Sequence, residues 1–167
     1  MRVVVLLLAA TLAGCASPQD PLSDGISQAE REAYAAFAPE PLTGHGKNLT
    51  ALEGNATLVF IWASWCGVCK ADEPTLREIH AEYAPQGFEI MAVSRESSRS
   101  AALDYAESQD WAFPAYWSRS APEDLGLRDY QPGYMLFDRS GEPTWSAERG
   151  LRGSGFDTLR MEIEAVL

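Results

Sequence analysis

Two cysteines at C-x-x-C spacing lie in the run Trp62-Ala63-Ser64-Trp65-Cys66-Gly67-Val68-Cys69-Lys70, directly after the apolar stretch Leu58 to Trp62. The residues that follow predict a helix beginning at Cys66. Its sulfur then sits at a helix N-terminus, where unpaired N–H groups and the positive end of the dipole favour a thiolate. Cys69 lies one turn further on the same face and can reach back to Cys66. One exposed, acidified thiol and one resolving partner make a dithiol/disulfide redox couple. A structural disulfide and half of a metal site are the competing readings. Zinc takes four ligands, no second C-x-x-C exists, and His45 and His80 are isolated and distant. No metal is expected, and no cofactor beyond the redox-active Cys66–Cys69 disulfide.

Other residues near this run have two readings each. Asp72 is a candidate acid/base that carries a proton to or from Cys69. Equally, Asp72 and its neighbour Glu73 are an acidic pair in the first turns that complements the helix dipole. Lys70 reads as a solvated side chain, Trp62 as core and Trp65 as an exposed lid beside the sulfur. Trp111, Trp117 and Trp145 default to packing, and His80 to a surface or satisfied histidine.

The start of the chain belongs to transport rather than to the fold. Met1-Arg2, the short apolar core Val3 to Leu12 and the small residues before Cys15 read as a secretory signal over residues 1–14, too short to span a membrane as a helix. Leu12-Ala13-Gly14-Cys15 looks like a bacterial lipobox, in which the cysteine is lipidated and becomes the first mature residue. Ordinary cleavage at nearby small residues is the plainer alternative. With Cys15 assigned to a lipid, Cys66 and Cys69 are the only thiols left, which excludes a disulfide-stapled scaffold. The formal net charge of −11 argues against nucleic acid and against adhesion to anionic lipid. Membrane attachment would come from the acyl anchor.

What must position the pair is one domain. Residues 15–44 hold Pro18, Pro21, Pro39 and Pro41 among small polar residues and read as lipidated N-terminus and tether. Inside it, Ile26, Ala29, Ala33 and Phe37 predict a short helix near 26–38, either packed on the domain or part of the stalk. From residue 45 to 167, strands alternate with helices. The expected order is an edge strand over Lys47–Leu52, a turn at Glu53-Gly54-Asn55, the buried strand 58–62 and a helix near 66–84 interrupted by Pro74. A strand at 88–93, a serine-opened helix at 98–108, a strand-like stretch at 111–117 weakened by Pro114, and a loop with one helical turn at 118–131 come next. A hairpin over 134–147 and a last helix from Ser154, with a capping-box spacing to Asp157, close the chain. This predicts an α/β domain, a mixed sheet with helices on both faces, an N-terminal edge strand and a central αβ insertion.

From about Gly46 to Leu167 the chain resembles thioredoxin-fold proteins, and more narrowly the exported, membrane-tethered thiol–disulfide oxidoreductases of the TlpA/ResA type. The resemblance rests on Phe60-Ile61-Trp62-Ala63-Ser64-Trp65-Cys66, Cys69, Pro74, the run Pro132-Gly133-Tyr134-Met135-Leu136-Phe137-Asp138 and the turn glycine Gly141. It implies that Cys66 attacks a substrate disulfide and Cys69 resolves the mixed disulfide. It also implies that Pro132 is a cis-proline facing the pair, with Gln131 and Pro132 pairing with substrate. Protein thiol/disulfide clients are implied, together with a membrane electron donor of the DsbD/CcdA type and a location in the bacterial cell envelope facing the periplasm or extracytoplasmic side. Three departures stand out: Gly67-Val68 lacks the proline common between the cysteines, Asp72 replaces a glutamate, and the approach Leu127 to Gln131 is one residue out of register.

The direction of electron flow follows from how strongly the reduced thiolate is stabilised, with potentials of about −270 mV for thioredoxin and about −120 mV for the oxidant DsbA. Gly67-Val68 offers neither charge nor a side-chain donor, which favours a reductase over a disulfide-forming oxidase. A redoxin-type peroxidase would carry a proline and a threonine or serine where Val59 and Ala63 stand. A non-catalytic lipoprotein binding module would not require the paired thiols.

Overall fold

The computed structural model describes residues 27–43, 54–128 and 131–167. The expected strand over 47–52 and the lipobox cysteine Cys15 lie outside them. Its spine is strand β2, Ala56–Trp62, buried along its whole length. Such a strand needs a partner on each edge and a cover on each face. It pairs in parallel with β3, Phe88–Ser94, and antiparallel with β5, Gly133–Phe137. Beyond β3 comes β4, Ala115–Trp117, and then the edge strand β1, Glu40–Pro41; β6, Pro143–Glu148, closes the opposite edge as the hairpin partner of β5.

Alternate residues of β2 serve opposite faces, as strand geometry requires. Leu58, Phe60 and Trp62 pack with Leu76 and Ile79 of helix α2, Gly67–Tyr83, with Ala102 and Ala106 of α3, Arg99–Ser108, and with Leu159 and Ile163 of α5, Gly155–Val166. Val59 and Ile61 face Tyr34 and Phe37, which belong to helix α1, Gln28–Ala36, and its C-terminal neighbour, and Ala121 and Leu125 around the short helix α4, Ala121–Asp124.

Three details depart from the sequence expectations: the buried side of the first helix, the extent of the strand before Trp117, and the start of the last helix. The helix within the expected tether packs on the sheet, the first of its two expected placements. It is held at its start by a Ser27–Glu30 capping box, and its buried residues are Tyr34 and Phe37, whereas Ala29 and Ala33 are exposed. Among the described residues, the edge strand beside β4 is Glu40–Pro41. It is extended by the Leu42 and Thr43 N–H groups, which both donate to the Ala115 carbonyl. Only the last three residues of the stretch 111–117 form a strand. Pro114 has no N–H for the ladder, although its carbonyl accepts from Ala92. At α5 the expected side-chain cap is absent. Ser154 sits at φ −76°, ψ 1°, a turn conformation rather than the extended one of a side-chain cap, and its carbonyl accepts from Thr158 instead.

Candidate active site

Helix α2 starts where β2 runs out. Cys66 is its N-cap, in extended conformation, and its Sγ accepts from the Cys69 N–H at 3.1 Å. The first sulfur therefore occupies the place that a serine or aspartate oxygen takes at other helix starts, next to unpaired donors. The two sulfurs are bonded, with S–S 2.07 Å. Cys66 is only 6 % exposed and Cys69 1 %. This corrects the expectation of an openly exposed thiol: in the oxidised pair Cys66 shows an edge, and the group standing out beside it is Trp65, 65 % exposed.

The Gln131–Pro132 peptide bond is cis, as the resemblance implies. The Pro132 carbonyl accepts from the Arg149 N–H at 2.9 Å, which ties the cis-proline to the loop after β6. In that loop Arg149 and Gly150 both have positive φ, 72° and 96°. Gly150 fills a junction that no other residue fits: a Cβ there would lie 2.5 Å from Val68 Cγ1 and 3.3 Å from Asp72 Oδ2, with Pro132 Cγ at 4.0 Å. Cysteine helix, cis-proline and this loop thus converge on one point.

Asp72, one turn after Cys69, is buried. Its Oδ2 accepts from the Tyr134 hydroxyl at 2.7 Å and from the Leu151 N–H at 3.2 Å. Burial and the nearby Asp72 carboxylate push the Tyr134 hydroxyl far above its ordinary value, so it serves only as a donor. Both acids of the pair leave the surface, so neither acts merely as a solvated partner of the helix dipole. Glu73 turns the other way, accepting from the Tyr105 hydroxyl at 2.9 Å with Arg77 at 3.9 Å. Burial raises its carboxyl above the ordinary range, against the lowering pull of the Tyr105 bond.

The remaining candidates fall into place around the pair. Trp62 is core, with its ring 5.2 Å from those of Tyr105 and Trp111. Lys70 lies over the Tyr105 ring, 5.3 Å from its centroid, and does not cap a sulfur. His80 is satisfied by Glu89 at 3.0 Å. Gln131 turns its side chain to Arg95, the amide oxygen accepting from Nε at 2.9 Å. Among the described residues, no group of histidine, cysteine and acidic side chains is arranged to hold a metal ion.

Sequence reasoning missed Glu96 and Gly150. Glu96 is buried two residues beyond β3 and accepts from both the N–H and the hydroxyl of Ser64, pinning the turn that delivers Cys66. Its own carbonyl accepts from Trp117 Nε1 at 2.9 Å. An acid just past a buried strand is the only sequence signal, and it does not name the partner.

Residues 31–142 match the model of the AhpC/TSA family. The thiol-disulfide oxidoreductase ResA of Geobacillus kaustophilus is 26 % identical over 85 % of this chain and 82 % of its own length. ResA of Oceanobacillus iheyensis is 36 % identical over a shorter stretch, 40 % of this chain and 34 % of that relative. Among solved structures, a Chlorobium tepidum protein assigned as the thiol:disulfide interchange protein DsbE superposes with a TM-score of 0.70 at 26 % identity, covering 78 % of this chain and 92 % of the other. The fold is thioredoxin-like, the C-x-x-C pair stands where the fold puts a redox site, and the chain belongs to the AhpC/TSA family.

Proposed function

We propose that the chain is a thiol–disulfide oxidoreductase that reduces disulfides of protein clients outside the cytoplasm, anchored to the membrane through lipid on Cys15. The observation that carries the reading is the Cys69 N–H donating to Cys66 Sγ at the start of α2, the helix that meets the cis-proline around Gly150. In the reduced protein the Cys66 thiolate attacks one sulfur of a client disulfide. A mixed disulfide forms and the other client sulfur leaves as a thiolate. Cys69, deprotonated, then attacks Cys66 Sγ, releasing the second client thiolate and regenerating the Cys66–Cys69 disulfide. Two electrons pass to the client, and the two protons of the dithiol follow. Asp72 is the carboxylate on the Cys69 side of the helix and takes the Cys69 proton in the second step.

Gly67-Val68 adds no stabilisation to the thiolate, which favours a reducing couple over a disulfide-forming oxidase. Such a protein would be recharged by a membrane-embedded donor of the DsbD/CcdA type, with apocytochrome or other periplasmic thiols as clients. The peroxidase alternative is set aside because Val59 and Ala63 stand at the two positions before the cysteine where a redoxin-type peroxidase carries a proline and a threonine or serine. Replacing Cys69 by serine should trap the mixed disulfide with a client protein, and replacing Cys66 should abolish exchange. Continued reduction of a protein disulfide by Cys66→Ser contradicts the mechanism. Mass spectrometry of the mature N-terminus tests the anchor: diacylglyceryl-modified Cys15 is expected, and an unmodified Cys15 refutes it.

A further inference from the structure

The carboxyl ends of β2, β3 and β4 finish level, Trp62 beside Ser94 and Ser94 beside Trp117. In a parallel arrangement this end is where diverging loops open a crevice. Here those loops carry Trp65, Arg95, Ser97 and Arg119, which with Glu123 line a groove of about 590 Å³. Trp65 immediately precedes Cys66, and Arg95 holds Gln131, the residue before cis-Pro132. The groove thus adjoins both groups that meet a client disulfide in the proposed reaction. Its charge runs against that of the molecule. The chain carries a net −11, yet among the described residues two guanidinium groups line this groove against one carboxylate, that of Glu123. Arg119 is exposed and makes no ion pair among the described residues.

We propose that this groove binds an acidic segment of the client, with a carboxylate flanking the client cysteine held between Arg119 and Arg95 and the adjoining apolar atoms on the Trp65 indole. A guanidinium offers five donors in a planar fork; exposed Arg119 supplies that fork to the carboxylate, and Arg95, turned to Gln131, adds positive charge beside it. Elsewhere the acidic surface repels an acidic client, so only the docking that places its carboxylate in the groove is favoured; the contrast supplies orientation and specificity. The inference rests on the thiol–disulfide reading above, since it names the client for that same exchange. In the step it assists, the Cys66 thiolate bonds one client sulfur, the second client sulfur leaves with the electron pair of the broken S–S bond, and Cys69 completes the reduction.

The test uses the reduced protein and three disulfides: neutral 2-hydroxyethyl disulfide, and two cyclic peptide disulfides differing only in an Asp or a Lys two residues after the attacked cysteine. The Asp peptide should react about tenfold faster than the Lys peptide at low salt, shrinking towards parity as the ionic strength rises past 0.1 M, where the screening length is about 10 Å. Arg119→Glu should remove or reverse that preference. Exchange with 2-hydroxyethyl disulfide combined with equal rates for the two peptides overturns the groove proposal and leaves the oxidoreductase reading standing. No exchange with any of the three overturns both.

Discussion

The two faces of the sheet are built for different work. The face toward α2 carries the disulfide and the buried ionisable residues Asp72, Glu73 and His80, all on α2 itself, and an aromatic run from Trp62 through Trp111 to Phe113 and His80. The opposite face is a cluster of aliphatic and aromatic side chains around Val59, Ile61, Met91 and Val93, closed by Tyr34 and Phe37. Burying carboxylates costs stability, and reactive sites are where that cost is found. The second face offsets it with packing that bears no chemistry. Residues 28–37 of the N-terminal segment are therefore part of the cover of that face.

Substitutions on each face should separate these roles. Beyond the two cysteines, the largest effect on rate is expected at Asp72: Asn keeps the acceptor for Tyr134 but cannot take a proton, so resolution of the mixed disulfide should slow by about 100-fold. Rapid-quench measurement of the second step checks this, and an unchanged rate with a normal pH profile makes Asp72 a tie to the Leu151 loop alone. The largest effect on stability is expected on the other face. Phe37→Ala should cost about 3–4 kcal/mol in denaturant unfolding while sparing exchange with a small disulfide. A loss below about 1 kcal/mol would mean that the N-terminal segment contributes little to the fold.

What could be read from the chain divides along the same line. The active face was legible because its signals are local: C-x-x-C after an apolar strand, the serine before α3, a proline before a strand. The cover of the second face was not. Pro18, Pro21, Pro39 and Pro41 suggest a tether, and the Ile26/Ala29/Ala33/Phe37 spacing names the buried Phe37 but misses Tyr34, while Ala29 and Ala33 are exposed. Glu96 and Gly150 were equally silent. Glu96 acts on Ser64, 32 positions away. Gly150 is required by Val68, Asp72 and Pro132, which only the fold brings together.

Gly150→Ala sharpens that point. A side chain at φ 96° is strained, and its Cβ would press on Val68 between the two cysteines. Unfolding should show a loss of about 1–3 kcal/mol, together with altered exchange kinetics. The smallest effect is expected at Glu73. Its folded carboxyl is raised above the ordinary 4.5 by burial, so folding takes up a proton and stability falls as pH rises through the window above 4.5. Glu73→Gln should raise the melting temperature at pH 7, leave it little changed near pH 4, and flatten the profile between them; a variant less stable at both pH values contradicts this assignment.

In the proposed reaction Cys66 and Cys69 form a reversible, reducing dithiol/disulfide couple. Equilibration with a dithiothreitol or glutathione series, read by thiol alkylation and mass, tests it directly. One two-electron transition is expected near the thioredoxin end of the scale, about −270 mV. A transition near the DsbA end, about −120 mV, contradicts the reducing role, and a pair that stays oxidised or reduced throughout contradicts the couple itself.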